Sequence, residues 1–361
     1  MRVTGVADLP LHGGSCPPWL FKRMKELARA ITEIIIYEYG KKEFLRRLAD
    51  PFFFQSLSCV LGFDWHSSGT TTVTCGALKE AISHELGVAV CGGKGKVSRK
   101  TPEEIEKVGE QFSLSTKRIE ELKQASKLAA KVDNALVQDE HNIYHHTFIF
   151  SEKGDWVVIQ QGMNPEETTA RRYHWLSDSV TSFVCEPHTA VICDQRLNRV
   201  LNLVAKESEE VRKTSVDLVK DNPEHLRKYI IESKQLSLSS FIPGETKYLA
   251  MPWKINWHAL YNAYELQPKN YEELISIKGI GPATVRALAL VSELVFGKEP
   301  SWKDPAKYSY AHGGKDGVPY RVNLRRMEKT AEILRDAIQN AKLGNREKIE
   351  ALRRLTEFIS F

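Results

Sequence analysis

The sequence has no apolar run able to cross a bilayer; its longest clusters, Ile34–Tyr37 and Pro51–Phe54, fall far short of the roughly 20 residues a spanning helix needs. The N-terminus has neither an apolar secretory core nor a small-residue cleavage site. Cysteine is scarce, and Cys16, Cys59, Cys75, Cys91, Cys185 and Cys193 form no C-x-x-C pair. Paired zinc knuckles are thereby excluded, and reduced core thiols are expected. These absences predict a cytoplasmic protein with no membrane partner. The metal-binding spacings H-x-x-H and H-E-x-x-H are missing. Gly92-Gly-Lys-Gly-Lys96 lacks the P-loop spacing and reads as a turn. A large charge imbalance is lacking too: 51 basic against 46 acidic side chains leave +5. From Lys298 to Phe361, however, 14 basic residues face 9 acidic ones, so the whole excess lies there, where a polyanion would be met.

What is present is a helical frame around a short β region. Leu20, Met24, Leu27, Ile31, Ile34 and Ile35 predict a helix from about Trp19 to Gly40, and Glu43–Leu48 a shorter one. Thr101-Pro-Glu-Glu104 reads as an N-cap and first turn, and Ser115–Leu136 as a further helix. His146–Phe150 and Trp156–Gln161 alternate with period two, which predicts a β-hairpin, with another strand at Ser182–Val184 or Ala190–Cys193. The polar stretch Ser233–Pro243 suits a domain boundary. Beyond it Trp257–Tyr264, Tyr271–Ile277, Ala283–Val295, Leu324–Ala341 and Arg346–Phe358 read as helices. The expectation is an α+β protein: an N-terminal α+β domain with a small β-sheet over 1–232, then an all-α C-terminal domain over 233–361.

The strongest signal is Tyr271-Glu-Glu-Leu-Ile-Ser-Ile-Lys-Gly-Ile-Gly-Pro-Ala-Thr-Val-Arg286. It resembles the helix-hairpin-helix of DNA repair and recombination proteins: a short helix, an apolar-Gly-apolar-Gly turn, and a helix opening at Pro282. Gly279 and Gly281 permit backbone angles closed to other residues. Pro282 suits the first helical position, where an N–H would be unpaired. The bare amides and positive helix end then form a phosphate site that reads no base sequence. Lys278, Gly279, Ile280, Gly281, Pro282, Ala283, Thr284 and Arg286 are the candidate DNA-binding residues; RNA is an alternative polyanion. The competing reading is a C-cap glycine followed by a Pro-started helix without a ligand.

In base-excision glycosylases that carry this hairpin, a catalytic aspartate lies about twenty residues beyond it. Asp304, in Ser301-Trp-Lys-Asp-Pro305, falls near that spacing. Pro282 and Ala283 stand where strand-cutting members carry a lysine, so only a monofunctional glycosylase fits. Asp before Pro is also an ordinary turn residue. In the N-terminal half, polar residues gather at Asp64-Trp-His66, His145-His146, Arg171-Arg172 with His174, and His188. Several histidines with a nearby carboxylate can hold a divalent metal ion and activate water. Without a metal, a histidine can serve as general base while Arg171 and Arg172 hold a phosphate. His145 and His146 point to opposite sides of a strand, so at most one enters a shared site.

Gly62-Phe-Asp-Trp-His-Ser-Ser-Gly-Thr-Thr71, Tyr144-His-His146, Gln160-Gln-Gly-Met163, Arg171-Arg-Tyr-His-Trp175 and Ala311-His-Gly-Gly-Lys-Asp-Gly317 carry a second resemblance. They resemble an uncharacterised family, mostly from archaea and thermophilic bacteria, known only as a domain of unknown function. That resemblance implies no reaction. The leading expectation is a DNA-processing or repair hydrolase, nuclease-like, gripping the backbone through the hairpin. The alternatives are a non-catalytic DNA-binding scaffold and a glycosylase using Asp304.

Overall fold

The computed structural model describes residues 16–62, 69–166, 169–193, 196–239, 250–309 and 324–359. Asp64, His66 and the Ala311–Gly317 motif lie outside them. Four helices come first: α1 (Pro18–Tyr39), α2 (Lys41–Ala49), α3 (Pro51–Leu61) and α4 (Gly69–Ala81). Met24, Leu27, Ile31 and Ile35 bury one stripe of α1. Gly40 ends it at φ +85°, a left-handed angle that glycine adopts without strain. Asp50 caps α3 by accepting from the Phe52 amide at 2.9 Å, with Pro51 at the first helical position.

Strand β1 (Val88–Lys94), α5 (Thr101–Gln111) and α6 (Thr116–Ala135) follow. Ser115 caps α6 by accepting from the Arg118 amide at 3.2 Å. Thr101 is no cap: it lies inside α5 and donates its hydroxyl to the Ser98 carbonyl at 2.7 Å. Then come β2 (Val137–Gln138), β3 (Asn142–Ser151), β4 (Trp156–Asn164), β5 (Thr169–Leu176), β6 (Ala190–Cys193) and β7 (Leu201–Asn202). The remaining elements are α7 (Glu209–Lys220), α8 (Pro223–Ser239), α9 (Trp257–Leu266), α10 (Tyr271–Ser276), α11 (Pro282–Leu294), β8 (Tyr308–Ser309), α12 (Leu324–Asn340) and α13 (Asn345–Ile359).

The protein is α+β. Six strands make one sheet in the order β1-β3-β4-β5-β6-β8, antiparallel throughout except for the parallel β6–β8 pair. Its register sets the chemistry of the interior: His145 faces Gln161 and Gln161 faces Arg172, while His146 faces Gln160 and Gln160 faces Tyr173. Helices cover both faces. Phe148, Phe150, Val158, Tyr173 and Trp175 pack on one side with residues of α6, α7 and α9 to α11. Val90, Ile149, Val157 and Ile159 pack on the other with α1 to α4, α12 and α13. A sheet covered twice buries both side-chain rows. That is why polar residues such as His146 and Gln160 sit in its core.

The expected division at 232/233 does not divide the packing. Strand β8 joins the sheet beside β6. Ile333, Leu334, Ile338, Ala351 and Leu355 share a core with α1 and α3. Leu274, Ile280, Val285 and Leu288 share the other core with Trp175. The apolar stripes of the later helices have no core of their own and complete those on the sheet. Leu288 is 1% exposed, and Leu288→Ala is expected to cost about 2–5 kcal/mol. Because the core is shared, tryptophan fluorescence and helical circular dichroism should lose stability at one common denaturant midpoint; two separate midpoints would contradict the shared core.

Candidate functional site

In the hairpin, α10 begins with Asn270 accepting from the Glu273 amide at 2.9 Å, while Glu273 accepts from the Lys269 amide at 2.8 Å. This reciprocal cap sets the first helix. Ile280 is fully buried and anchors the turn, while Lys278, Gly279 and Pro282 are exposed. The two glycines differ. Gly279 has φ +93°, and a Cβ there would lie 2.8 Å from Asn256 Nδ2 and 2.9 Å from the Ala259 Cβ. Both conformation and packing demand glycine. Gly281 is extended (φ −111°, ψ −176°), and a Cβ there would meet only the Gly279 carbonyl oxygen, at 4.0 Å. Among the described residues nothing requires glycine at this position.

Gly281 is also the N-cap of α11 and supplies no capping side chain. Pro282 has no N–H, and the amides of Ala283 and Thr284 fall in the first turn, where no helical acceptor exists. Two expected contacts turn inward instead. The Thr284 side chain is buried and its hydroxyl accepts from the Asn256 amide at 3.3 Å. Arg286 donates to Gln138 Oε1 at 3.2 Å and lies 5.9 Å from the Trp302 ring, while Gln138 Nε2 donates to the Pro282 carbonyl at 2.9 Å. These two side chains dock the hairpin onto β2.

Beside the hairpin a cleft of about 320 Å³ runs between α6 and α10, lined by Gln124, Lys127, Lys131, Ser276 and Lys278. Its acid, Glu120, pairs with Lys123 at 2.6 Å. No described acidic side chain pairs with Lys127, Lys131 or Lys278. Half-burial pushes the Lys131 ammonium below its usual pKa. A cluster of cations without counter-charge in a cleft favours an anion from outside. Lys127 and Lys131 were not among the sequence candidates, because a pair four apart on a charged helix looks like any solvated face.

The sheet residues separate by face. On the α6 side, Gln160 Oε1 accepts from His146 Nδ1 at 2.8 Å, and His146 Nε2 accepts from the Ser126 hydroxyl at 2.8 Å. Gln160 Nε2 donates to Asp133 at 2.5 Å, Trp175 Nε1 donates to it at 2.9 Å, and His188 Nε2 meets its other oxygen at 2.5 Å. On the same face Arg171 lies between Asp139 (3.1 Å) and Asp304 (3.0 Å). Asp139 also accepts from Tyr173 and the His141 amide. Burial alone would raise the Asp139 pKa, but Arg171, His141 and Tyr173 outweigh it and hold the carboxyl below its usual range.

On the opposite face His145 Nε2 pairs with the Thr147 hydroxyl at 2.8 Å. Arg172 donates to Gln55 and Thr71 and lies 4.7 Å from the Phe54 ring. His174 Nδ1 faces the Leu48 and Ala49 carbonyls. Among the described residues the candidates do not gather in one cluster: His145, Arg172 and His174 are separated by the sheet from His146, Arg171 and His188. Asp304 takes the turn role that the sequence offered beside the catalytic one. Besides Arg171 it accepts from the Leu197 and Ala306 amides at 2.7 and 2.9 Å, so its carboxylate ties loops together and is not a free nucleophile or base. Among the described residues no group of three or more His, Cys, Asp or Glu is placed to hold a metal ion. Asp133 was overlooked, although a carboxylate beside Val132 on the buried face of α6 was the available clue.

A helix-covered sheet with an exposed two-glycine hairpin and a buried carboxylate–histidine network defines the molecule structurally. The chain belongs to the family described as "Protein of unknown function (DUF763)", which matches residues 5–322. No curated protein and no solved structure matches it. Among the described residues no helix is long and apolar enough to cross a membrane.

Burial keeps the sheet histidines neutral, lowering His145 to about 3 and His146 to about 4 and holding His174 well below its usual value. The unfolded chain titrates near 6.5 and so binds more protons below that pH. The stability these groups contribute is thus fully present above about pH 6.5 and is lost as pH falls towards 4. The urea midpoint should drop across this window, and His146→Gln should flatten part of the drop. A midpoint constant from pH 7 to 4 would contradict the buried neutral state.

Proposed function

We propose that this protein binds the sugar-phosphate backbone of DNA through the hairpin, acting as a helix-hairpin-helix. The reading rests on Gly281. A glycine that neither its backbone angles nor its neighbours require is explained by a group approaching from outside. A phosphate oxygen placed there accepts from the Ala283 and Thr284 amides at the positive end of α11. Lys278 lies at the same turn, and Lys127 and Lys131 continue the positive surface along α6. Such contacts place a backbone and leave bases unread. Binding is therefore expected to be salt-dependent and indifferent to sequence. Ile280, Thr284 and Arg286 serve the hairpin's shape and seating.

Gly281→Val should retain the melting temperature and lose about 10- to 100-fold in affinity for duplex DNA, the scale of one or two charge-assisted hydrogen bonds. Gly279→Ala should instead destabilise the turn itself. Replacing Lys127 and Lys131 with alanine should lower the slope of log affinity against log salt by about 2, near one released counter-ion per lysine. Fluorescence anisotropy with labelled duplexes, and competition by RNA of the same sequence, measures each effect. A folded Gly281→Val protein that binds DNA as tightly as the wild type removes the basis of this reading.

A further inference from the structure

A second cleft, of about 210 Å³, is walled by β6 and the 301–307 segment, and His188, Asn202, Ser301, Lys303 and Asp304 line it. At its wall the His188 side chain is 7% exposed, and its Nε2 is directed inward to the fully buried Asp133. Asp133 is held by Trp175 and Gln160 on its other oxygen. A carboxylate so placed accepts, which puts the imidazole proton on Nε2 and leaves the lone pair on Nδ1. No described residue pairs with Nδ1. The ring cannot turn freely, because Trp175 packs against it at 4.8 Å and Tyr173 at 6.0 Å between ring centres. His146 differs in having both nitrogens paired inside the core. His188 keeps one nitrogen for whatever enters the cleft.

The surrounding charges bear on the ligand class. Asp304 shares Arg171 with Asp139, and Glu186 is 3.8 Å from Lys307. Glu207, Arg196 and Lys303 complete the charged lining. Three acids thus face three bases in the lining, and of the bases Lys303 pairs with no described acidic side chain, which leaves it for the single charge of a diester. The cleft also backs onto the hairpin's own surroundings. Trp302 lines the groove that holds Pro282 and Arg286, while Ser301, Lys303 and Asp304 line the His188 cleft. One short segment separates the two.

We propose that His188 is a general base for hydrolysis of a phosphodiester seated in this cleft, with Asp133 as its positioning residue. A water bonded to Nδ1 gives that nitrogen a proton as its oxygen bonds to phosphorus. The phosphorus–oxygen bond to one sugar breaks on the opposite side of phosphorus, the departing oxygen takes a proton from solvent water, and the imidazolium returns its proton to solvent. The products are a phosphomonoester and a sugar hydroxyl, with His188 and Asp133 restored. The choice of a nucleic-acid diester rests on the hairpin reading above; the placement of the base does not.

The test uses the full chain with bis(p-nitrophenyl) phosphate, a diester too small to need the hairpin, and with a labelled oligonucleotide, each with and without added divalent cation. Wild type is expected to turn over both. His188→Gln still offers Asp133 an amide donor, so it should melt like the wild type, yet be at least about 100-fold slower. Asp133→Asn should slow turnover and shift the acidic limb of the pH–rate profile, since an amide can donate to Nε2 and impose the wrong tautomer. A merely structural Asp133 would leave that limb in place. Wild-type rates in a folded His188→Gln protein overturn the proposal, as does absence of turnover of both substrates by wild type. DNA bound but never cut, with no hydrolysis of the small diester, defeats this inference and spares the hairpin. Hydrolysis of the small diester without DNA affinity does the reverse.

Discussion

Arg171 lies fully buried in the sheet between the carboxylates of Asp139 and Asp304, and much of the remaining structure is arranged around that contact. A cation in this position is tolerable only with its partners present, since removing one partner of a buried pair typically costs about 3–5 kcal/mol. The pairing therefore fixes where its partners' segments run. Asp139 follows β2, whose Gln138 holds α11, and Asp304 fastens the 301–307 segment to β5 and to the loop at Leu197. The seat of the hairpin and the wall of the His188 cleft are thus set by one charge. Burial opposes the charged form of Arg171, and the two carboxylates more than offset it.

The second constraint is that the sheet has no wet face. With helices on both sides, polar side chains in β3 to β5 depend on protein for partners, although His145 Nδ1 and His174 Nε2 find none among the described residues. Two separate networks result. One joins Ser126, His146, Gln160, Asp133 and His188. The other sets Arg172 against Gln55, Thr71 and the Phe54 ring. Neutral histidines suit such an interior because the charged form would lose its hydration. The first network reaches a cleft through His188.

The hairpin makes a parallel distinction between two residues of the same kind. Gly279 is held by a left-handed angle and by the close approach of Asn256 and Ala259; Gly281 is free of both constraints. In the sequence they are equivalent members of an apolar-Gly-apolar-Gly turn. Their different reasons for being glycine emerge only when α9 is packed against the turn.

Local chemistry was legible in the sequence. The helices of α1, α6, α10 and α11, the β3–β4 hairpin, the α+β class and the two-glycine turn follow from periodicity, caps and turn residues, which act over a few neighbours. The placement of His145 and His146 on opposite faces also follows, because alternation is a property of the strand itself. Which residues meet was decided by the tertiary structure. Asp304 and Arg171 are 133 positions apart, and His188 and Asp133 are 55 apart. Nothing local to either member of these pairs records its partner. The polar stretch at 233–243 marks where a chain can leave a core, but the partners of α11 to α13 are helices far back in the chain: α11 packs on α6 to α8, and α12 and α13 on α1 and α3.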